Sequence, residues 1–190
     1  MRKIIFLPVA LLFFSSARAQ EVKLSYFGET FTHYGVKGAY SLPLYSWDKT
    51  NRREKARNSA LVFSPGLAIY RHTGNHIGVI VMPEISYKTV NYKGGLFEAG
   101  VSPGLFRSFY EGQTFEVSEE GTLERKHLAG RTAFMPSLFV GFGKDLSVQK
   151  QTKLTWFCRF HVLKQVPYNK SSLTRIAFEA GISKPLTVRK

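Results

Sequence analysis

From Leu154 to Leu163 the side chains alternate. Leu154, Trp156, Cys158, Phe160 and Val162 fall on one face, and Thr155, Phe157, Arg159, His161 and Leu163 on the other. A period of two is the signature of a β-strand. Here it carries a second message, because the face holding Arg159 and His161 also holds Phe157 and Leu163. Such a mixed face, opposite a wholly apolar one, suits a membrane barrel whose polar interior is filled by side chains. The pattern recurs. Val79, Val81, Pro83, Ile85 and Tyr87 oppose Ile80, Met82, Glu84, Ser86 and Lys88. Phe97, Ala99, Val101, Pro103, Leu105 and Phe109 oppose Glu98, Gly100, Ser102, Gly104 and Ser108. Leu61, Phe63, Pro65, Leu67 and Ile69 oppose Val62, Ser64, Gly66, Ala68 and Tyr70. Small residues on the polar face are what a narrow lumen requires.

Turn residues divide the chain into eight strands, near 22–31, 34–47, 59–71, 76–90, 94–110, 131–144, 153–165 and 172–187. HTGNH at 72–76, NYKGG at 91–95, KDLSVQKQT at 144–152 and PYNKSS at 167–172 mark connections. The longest, Glu111 to Gly130, contains EEG at 119–121 as a hairpin tip. The charged stretch from Asp48 to Asn58 has no apolar stripe and reads as a loop. The expected fold is therefore all-β: a closed antiparallel up-and-down β-barrel of about eight strands. An even strand number puts both termini at one end, opposite the long connection.

The first residues point to export. Arg2 and Lys3 precede an apolar run from Ile4 to Phe14, and Ala17 and Ala19 form a small-residue cleavage motif. This reads as a cleavable signal peptide over 1–19 followed by a barrel domain over 20–190. The run is too short for a membrane-spanning helix, so a mature chain in a membrane would have to span it as a closed barrel. Without Arg2, Lys3 and Arg18, 24 basic residues face 13 acidic ones, a formal charge of +11. Export argues against nucleic acid as the partner of that charge and favours membrane lipid or lipopolysaccharide headgroups. The one cysteine, Cys158, rules out an intramolecular disulfide.

A motif of apolar, any, Pro, any, aliphatic recurs in FSPGL (63–67), VMPEI (81–85), VSPGL (101–105) and FMPSL (134–138), with related forms around Pro43 and Pro185. Proline removes a ladder donor and is confined to edges or bulges. A closed barrel has no edge, so these prolines are expected at bulges. Aromatic residues at strand ends, namely Tyr34, Trp47, Tyr70, Tyr87, Tyr92, Phe109, Tyr110 and Tyr168, are placed as interfacial girdles would be.

Lys37, Glu84, Lys88, Glu98, Arg159, Arg175 and Glu179 are assigned to the inner face as a charge network. Glu84, Glu98 and Glu179 are matched to Arg159, Arg175 and Lys37, since charges removed from water must be paired. Such a network either plugs the lumen or serves a gated pore or a small-ligand pocket; an eight-stranded barrel is too narrow for an open channel. His72 and His76 flank a glycine turn, but two ligands fall short of a closed metal site, and neither a metal nor a cofactor is expected. No nucleophile elbow, HExxH or P-loop motif occurs, so catalytic residues are not assigned and the chain is read as a non-enzyme.

The segments YFGETFTHYGVKGAY (26–40), the paired SPGL sequences, RHTGNHIG (71–78) and LAGRTAFMPSLFVGFG (128–143) resemble a family of small, uncharacterised outer-membrane β-barrel proteins of Bacteroidota-type bacteria. The resemblance spans most of the chain after residue 19 and implies location and fold, with no catalytic residues to transfer. One departure is the C-terminal LTVRK, where barrels of this kind usually end in an aromatic residue. The expected function is a monomeric outer-membrane barrel with a structural or binding task. Two alternatives are a soluble periplasmic or secreted lipocalin-like carrier of a small apolar ligand and, disfavoured by the missing motifs, a lipid-modifying barrel enzyme.

Overall fold

The computed structural model describes residues 20–29, 33–50, 56–117, 121–125, 128–148, 152–169 and 171–186. The signal peptide read at 1–19 lies outside them, as do the residues after Leu186. The main sheet comprises β1 (Glu21–Glu29), β2 (His33–Thr50), β3 (Ala56–His72), β4 (His76–Asn91), β5 (Gly95–Tyr110), β8 (Thr132–Asp145), β9 (Thr155–Tyr168) and β10 (Ser171–Pro185). Each pairs antiparallel with its neighbours in the chain, and β1 closes the ring against β10, from Glu21↔Pro185 to Gly28↔Phe178. A separate hairpin, β6 (Phe115–Val117) and β7 (Leu123–Arg125), stands in the β5–β8 connection. Of the EEG segment expected at its tip, Gly121 is described and Glu119 and Glu120 lie outside the described residues.

Gln20 and Leu186, the first and last described residues, lie at one rim, which we call the terminal end, where Leu186 N donates to Gln20 O at 2.7 Å. The β5–β8 connection is at the opposite, far end. The eight-strand count and the parity of its ends are therefore as expected. The Asp48–Asn58 loop is not: β2 runs on to Thr50 and β3 begins at Ala56. Past the ends of β1, the two strands continue as a ribbon, with Asn58 Nδ2 donating to Asp48 Oδ1 at 2.9 Å. Backbone pairing, not an apolar stripe, holds this stretch extended. Residues 51–55 lie outside the described set.

The wall sorts side chains by parity. On β4 the inward residues Ile80, Met82, Glu84 and Ser86 are all buried, whereas Val81 and Ile85 point out and are exposed. The same holds on β8, where Ala133, Met135, Ser137 and Phe139 are buried and Phe134, Leu138, Val140 and Phe142 exposed. The exterior is thus the more apolar surface. Tyr70 is an exception to the girdle assignment: register turns it inward, and it is buried beneath the far mouth. Tyr110 also faces the lumen side, lining that mouth.

The repeated prolines form a row. Pro65 is registered opposite Pro83, and Pro103 opposite Pro136. Between β4 and β5 the pairing stops at Val81↔Leu105 and resumes at Ile85↔Val101, which sets Pro83 opposite Pro103. Four strands therefore carry proline at one level. No register shift occurs at any of them, so the expectation of bulges is corrected. Each proline instead leaves a gap in the ladder without moving the strand. Single gaps face β2 at Pro65 and β9 at Pro136, where the pairing skips two rungs in each case. The β4–β5 seam is different, because both residues of one rung lack an N–H. A bulge does occur at Leu44, between Pro43 and Tyr45 on β2.

Candidate functional site: a sealed charge network between two vestibules

Strand β9 places Arg159 at the middle of the lumen, fully buried. Gly141 on β8 makes room for it, since a β-carbon there would collide with the Arg159 side chain. The guanidinium lies between the rings of Phe139 and Phe157, at 4.9 and 4.7 Å from their centroids. It donates to Glu98 Oε2 at 2.6 Å and Glu84 Oε2 at 3.2 Å, and comes within 3.5 Å of Glu179 Oε2. Lys37 from β2 bridges Glu84 and Glu179, the latter at 2.9 Å. Lys23 from β1 reaches Glu98 Oε1 at 3.3 Å. Ser86 and Ser25 donate to Glu98 and Glu179 at 2.7 and 2.8 Å. His161 Nε2 lies 2.8 Å from Glu179 Oε2.

Three cations, Lys23, Lys37 and Arg159, thus meet three carboxylates, Glu84, Glu98 and Glu179. Every oxygen of those carboxylates has a donor. That is the condition under which buried charge is tolerated; removing one partner of such a pair costs about 3–5 kcal/mol. The oxygens and imidazole of Glu84, His161 and Glu179 also come within 4.8 Å of one another, as metal ligands would. The Lys37 ammonium already bridges the two carboxylates, so the charge an ion would supply is there.

Five of the seven residues assigned to the network from sequence, Lys37, Glu84, Glu98, Arg159 and Glu179, come together. The other two do not. Lys88 sits toward the terminal end, 2.7 Å from Glu21, and Arg175 sits toward the far end, paired with Glu29. The matching of Arg175 to a mid-lumen carboxylate is thereby corrected: β10 carries Arg175 four residues, two inward positions, from Glu179, beyond reach of that cluster. Lys23 was missed, although it shares parity with Ser25 and Phe27 against outward Val22, Leu24 and Tyr26; reading β1 for alternation would have found it.

Toward the far end an apolar layer follows, built from Phe27, Tyr70, Ile80, Met82, Phe106, Met135 and Leu163 with three alanines. Above it opens a vestibule of about 650 Å³, lined by His33, His72, His76, Tyr110, Arg131 and Arg175 among others. The terminal end holds a second vestibule of about 450 Å³, bordered by Glu21, Ser41, Pro43 and Lys88. Charge network and apolar layer together separate the two. The His161–Glu179 pair has acid–base chemistry in principle, but both residues are buried in this partition, away from either vestibule.

No protein-family model, curated protein or solved structure matches the chain.

Proposed function

We propose that this protein is a small outer-membrane β-barrel, a monomer whose lumen is a rigid plug and whose task is structural or binding, with membrane lipid or lipopolysaccharide around it. One observation carries this reading: the polarity of the barrel is inverted. Inside are paired charges; outside are exposed Leu24, Val36, Leu67, Ile69, Val81, Ile85, Val101, Leu105, Leu138, Phe160, Val162 and Ile176. On β4 the outward face is free of charge from Ile77 to Tyr87. Ten residue-to-residue steps of about 3.4 Å, tilted by about 40°, rise roughly 26 Å, close to the apolar height of an outer membrane barrel. Basic residues then bound the belt on several strands: Arg57 and Arg71 on β3, Arg107 on β5, Lys144 on β8 and Lys184 on β10. There they suit the phosphates of lipid headgroups.

A lipocalin-like carrier requires an apolar cavity, and the lumen is instead crossed by the charge network. Fractionation distinguishes the two. The expected result is recovery with the outer membrane and a mobility shift on heating in detergent. Quantitative release in the osmotic-shock fluid, with no heat shift, would overturn the proposal.

A further inference from the structure

We propose that the far vestibule binds one divalent transition-metal ion, Cu²⁺ or Zn²⁺, through the imidazoles of His33, His72 and His76. The inference depends on the barrel register and on the open mouth; it holds whether or not the barrel lies in a membrane.

Register brings the three together. His33 is paired with His72 across β2 and β3, and His72 with His76 across β3 and β4. All three therefore occupy one rung on neighbouring strands, with side chains toward the lumen. They are partly buried and line the vestibule. The sequence shows His72 and His76 around one turn, while His33 lies 39 positions before His72 and is joined to it only by the sheet.

The spacing suits one ion. A metal–nitrogen bond of about 2.0–2.1 Å places an imidazole centroid roughly 3.2 Å from the metal, so ligands at angles between about 90° and 180° have centroids roughly 4.5–6.4 Å apart. Two observed separations lie in that range, 5.5 Å for His72–His76 and 6.2 Å for His33–His76, while His33–His72 at 4.1 Å is about 0.4 Å short of it, so those two rings must move apart on binding. The three rings do not present their nitrogens to one point as they stand, so binding requires each to rotate about its side-chain bonds. For His76 this means an exchange. Its Nδ1 is 3.0 Å from Asn75 Oδ1, and its Nε2 is 3.2 Å from Tyr70 Oη. With Nδ1–H donating to Asn75, Nε2 carries the lone pair, and it is now occupied by the Tyr70 hydroxyl proton. On binding, the metal takes that lone pair. Tyr70 keeps the bond it accepts from Arg175 Nη2 at 3.0 Å. Asn75 then supplies the outer hydrogen bond that commonly orients a metal-bound histidine.

The ligand set selects the ion class. Neutral imidazoles favour Cu²⁺, Zn²⁺ or Ni²⁺ over Ca²⁺ or Mg²⁺, which want oxygen ligands. Three protein ligands on the wall of a vestibule of about 650 Å³ leave the remaining coordination positions to water or to a further ligand entering from outside.

The test uses the folded, tag-free protein in detergent, titrated with CuCl₂ or ZnCl₂ and followed by calorimetry and, for copper, by pulsed paramagnetic resonance. One ion should bind per chain, with three coupled imidazole nitrogens. His72→Ala should weaken binding at least about tenfold and remove one nitrogen from the spectrum. Asp48→Ala, in the lining of the other vestibule, should change neither. Absence of saturable one-to-one binding would overturn the proposal, as would an unchanged spectrum in His72→Ala. Should a variant fail to fold, the wild-type spectrum decides: fewer than three coupled imidazoles contradicts the site.

Discussion

The lumen and the outer wall are built from the same strands, one residue apart, yet obey opposite rules. At mid-height Arg159 and Glu84 are fully buried. Their outward neighbours Phe160 and Ile85 are about half exposed, at 54% and 45%. In water this arrangement would be inside-out, with the hydrophobic effect acting against it. With an apolar solvent outside, as proposed, it would be consistent: lipid would cover the wall, and the network satisfies the charges. The contrast teaches where cohesion resides. In lipid an outward leucine would gain little from burial, and closure would then depend on the ladder and on interactions across the lumen.

The most severe break should come from inside. Arg159→Met removes the donor shared by Glu84, Glu98 and Glu179, and should cost about 3–5 kcal/mol in urea unfolding of the reconstituted barrel. Outside, Leu138→Arg at the centre of β8 should cost about 2–4 kcal/mol in a bilayer. The same change at a 63% exposed position of a water-soluble barrel would cost little. The proline seam sharpens the contrast from the opposite direction. Pro83→Ala with Pro103→Ala restores two ladder donors at about 1 kcal/mol each. Losing two rigid rings offsets this by about 0.5 kcal/mol each. A net gain of about 1 kcal/mol is expected, with slowly exchanging amides at both new positions. Toward the rim the effects shrink: Glu21→Ala, which frees Lys88, should cost at most about 1 kcal/mol and less at high salt.

The smallest effect is a titration at the far rim. Glu111 accepts from Arg71 and from Gly74 N at 3.1 Å, tying the start of the long connection to the β3–β4 turn. The Arg71 hydrogen bond holds the Glu111 carboxyl below its ordinary value of 4.5. A depressed carboxylate contributes above its unfolded value and ceases to as pH falls through the folded one. Local order near Gly74 should therefore persist at neutral pH and decline below about pH 4.5. In Arg71→Ala, carboxyl NMR should show Glu111 titrating closer to 4.5.

Much of the fold was legible because a barrel wall writes its two environments into alternate residues. Phe97–Leu105 and Leu154–Val162 announced both face and direction, and Gly74 and Gly94, both at positive φ, marked the tight turns. Pairing across the ring was not legible. Arg175 and Lys88 share the parity of Arg159, but parity does not reveal depth; only the register showed that they sit at opposite ends. His33 escaped notice as a neighbour of His72 for the same reason. The prolines misled because an isolated proline breaks a ladder by bending it, whereas here neighbouring prolines stack their missing donors at one level and the strands stay straight in register.

The inversion itself can be measured along one strand. Single cysteines at successive positions from Phe134 to Phe142, in a Cys158→Ala background reconstituted into lipid vesicles, would carry nitroxide labels probed with oxygen and with a water-soluble nickel chelate. Leu138, Val140 and Phe142 should be open to oxygen and closed to nickel, and Ser137, Phe139 and Gly141 closed to both, with a strict period of two. Nickel access at Leu138 and Val140 equal to that of a label on the β6–β7 hairpin would contradict a lipid-facing wall.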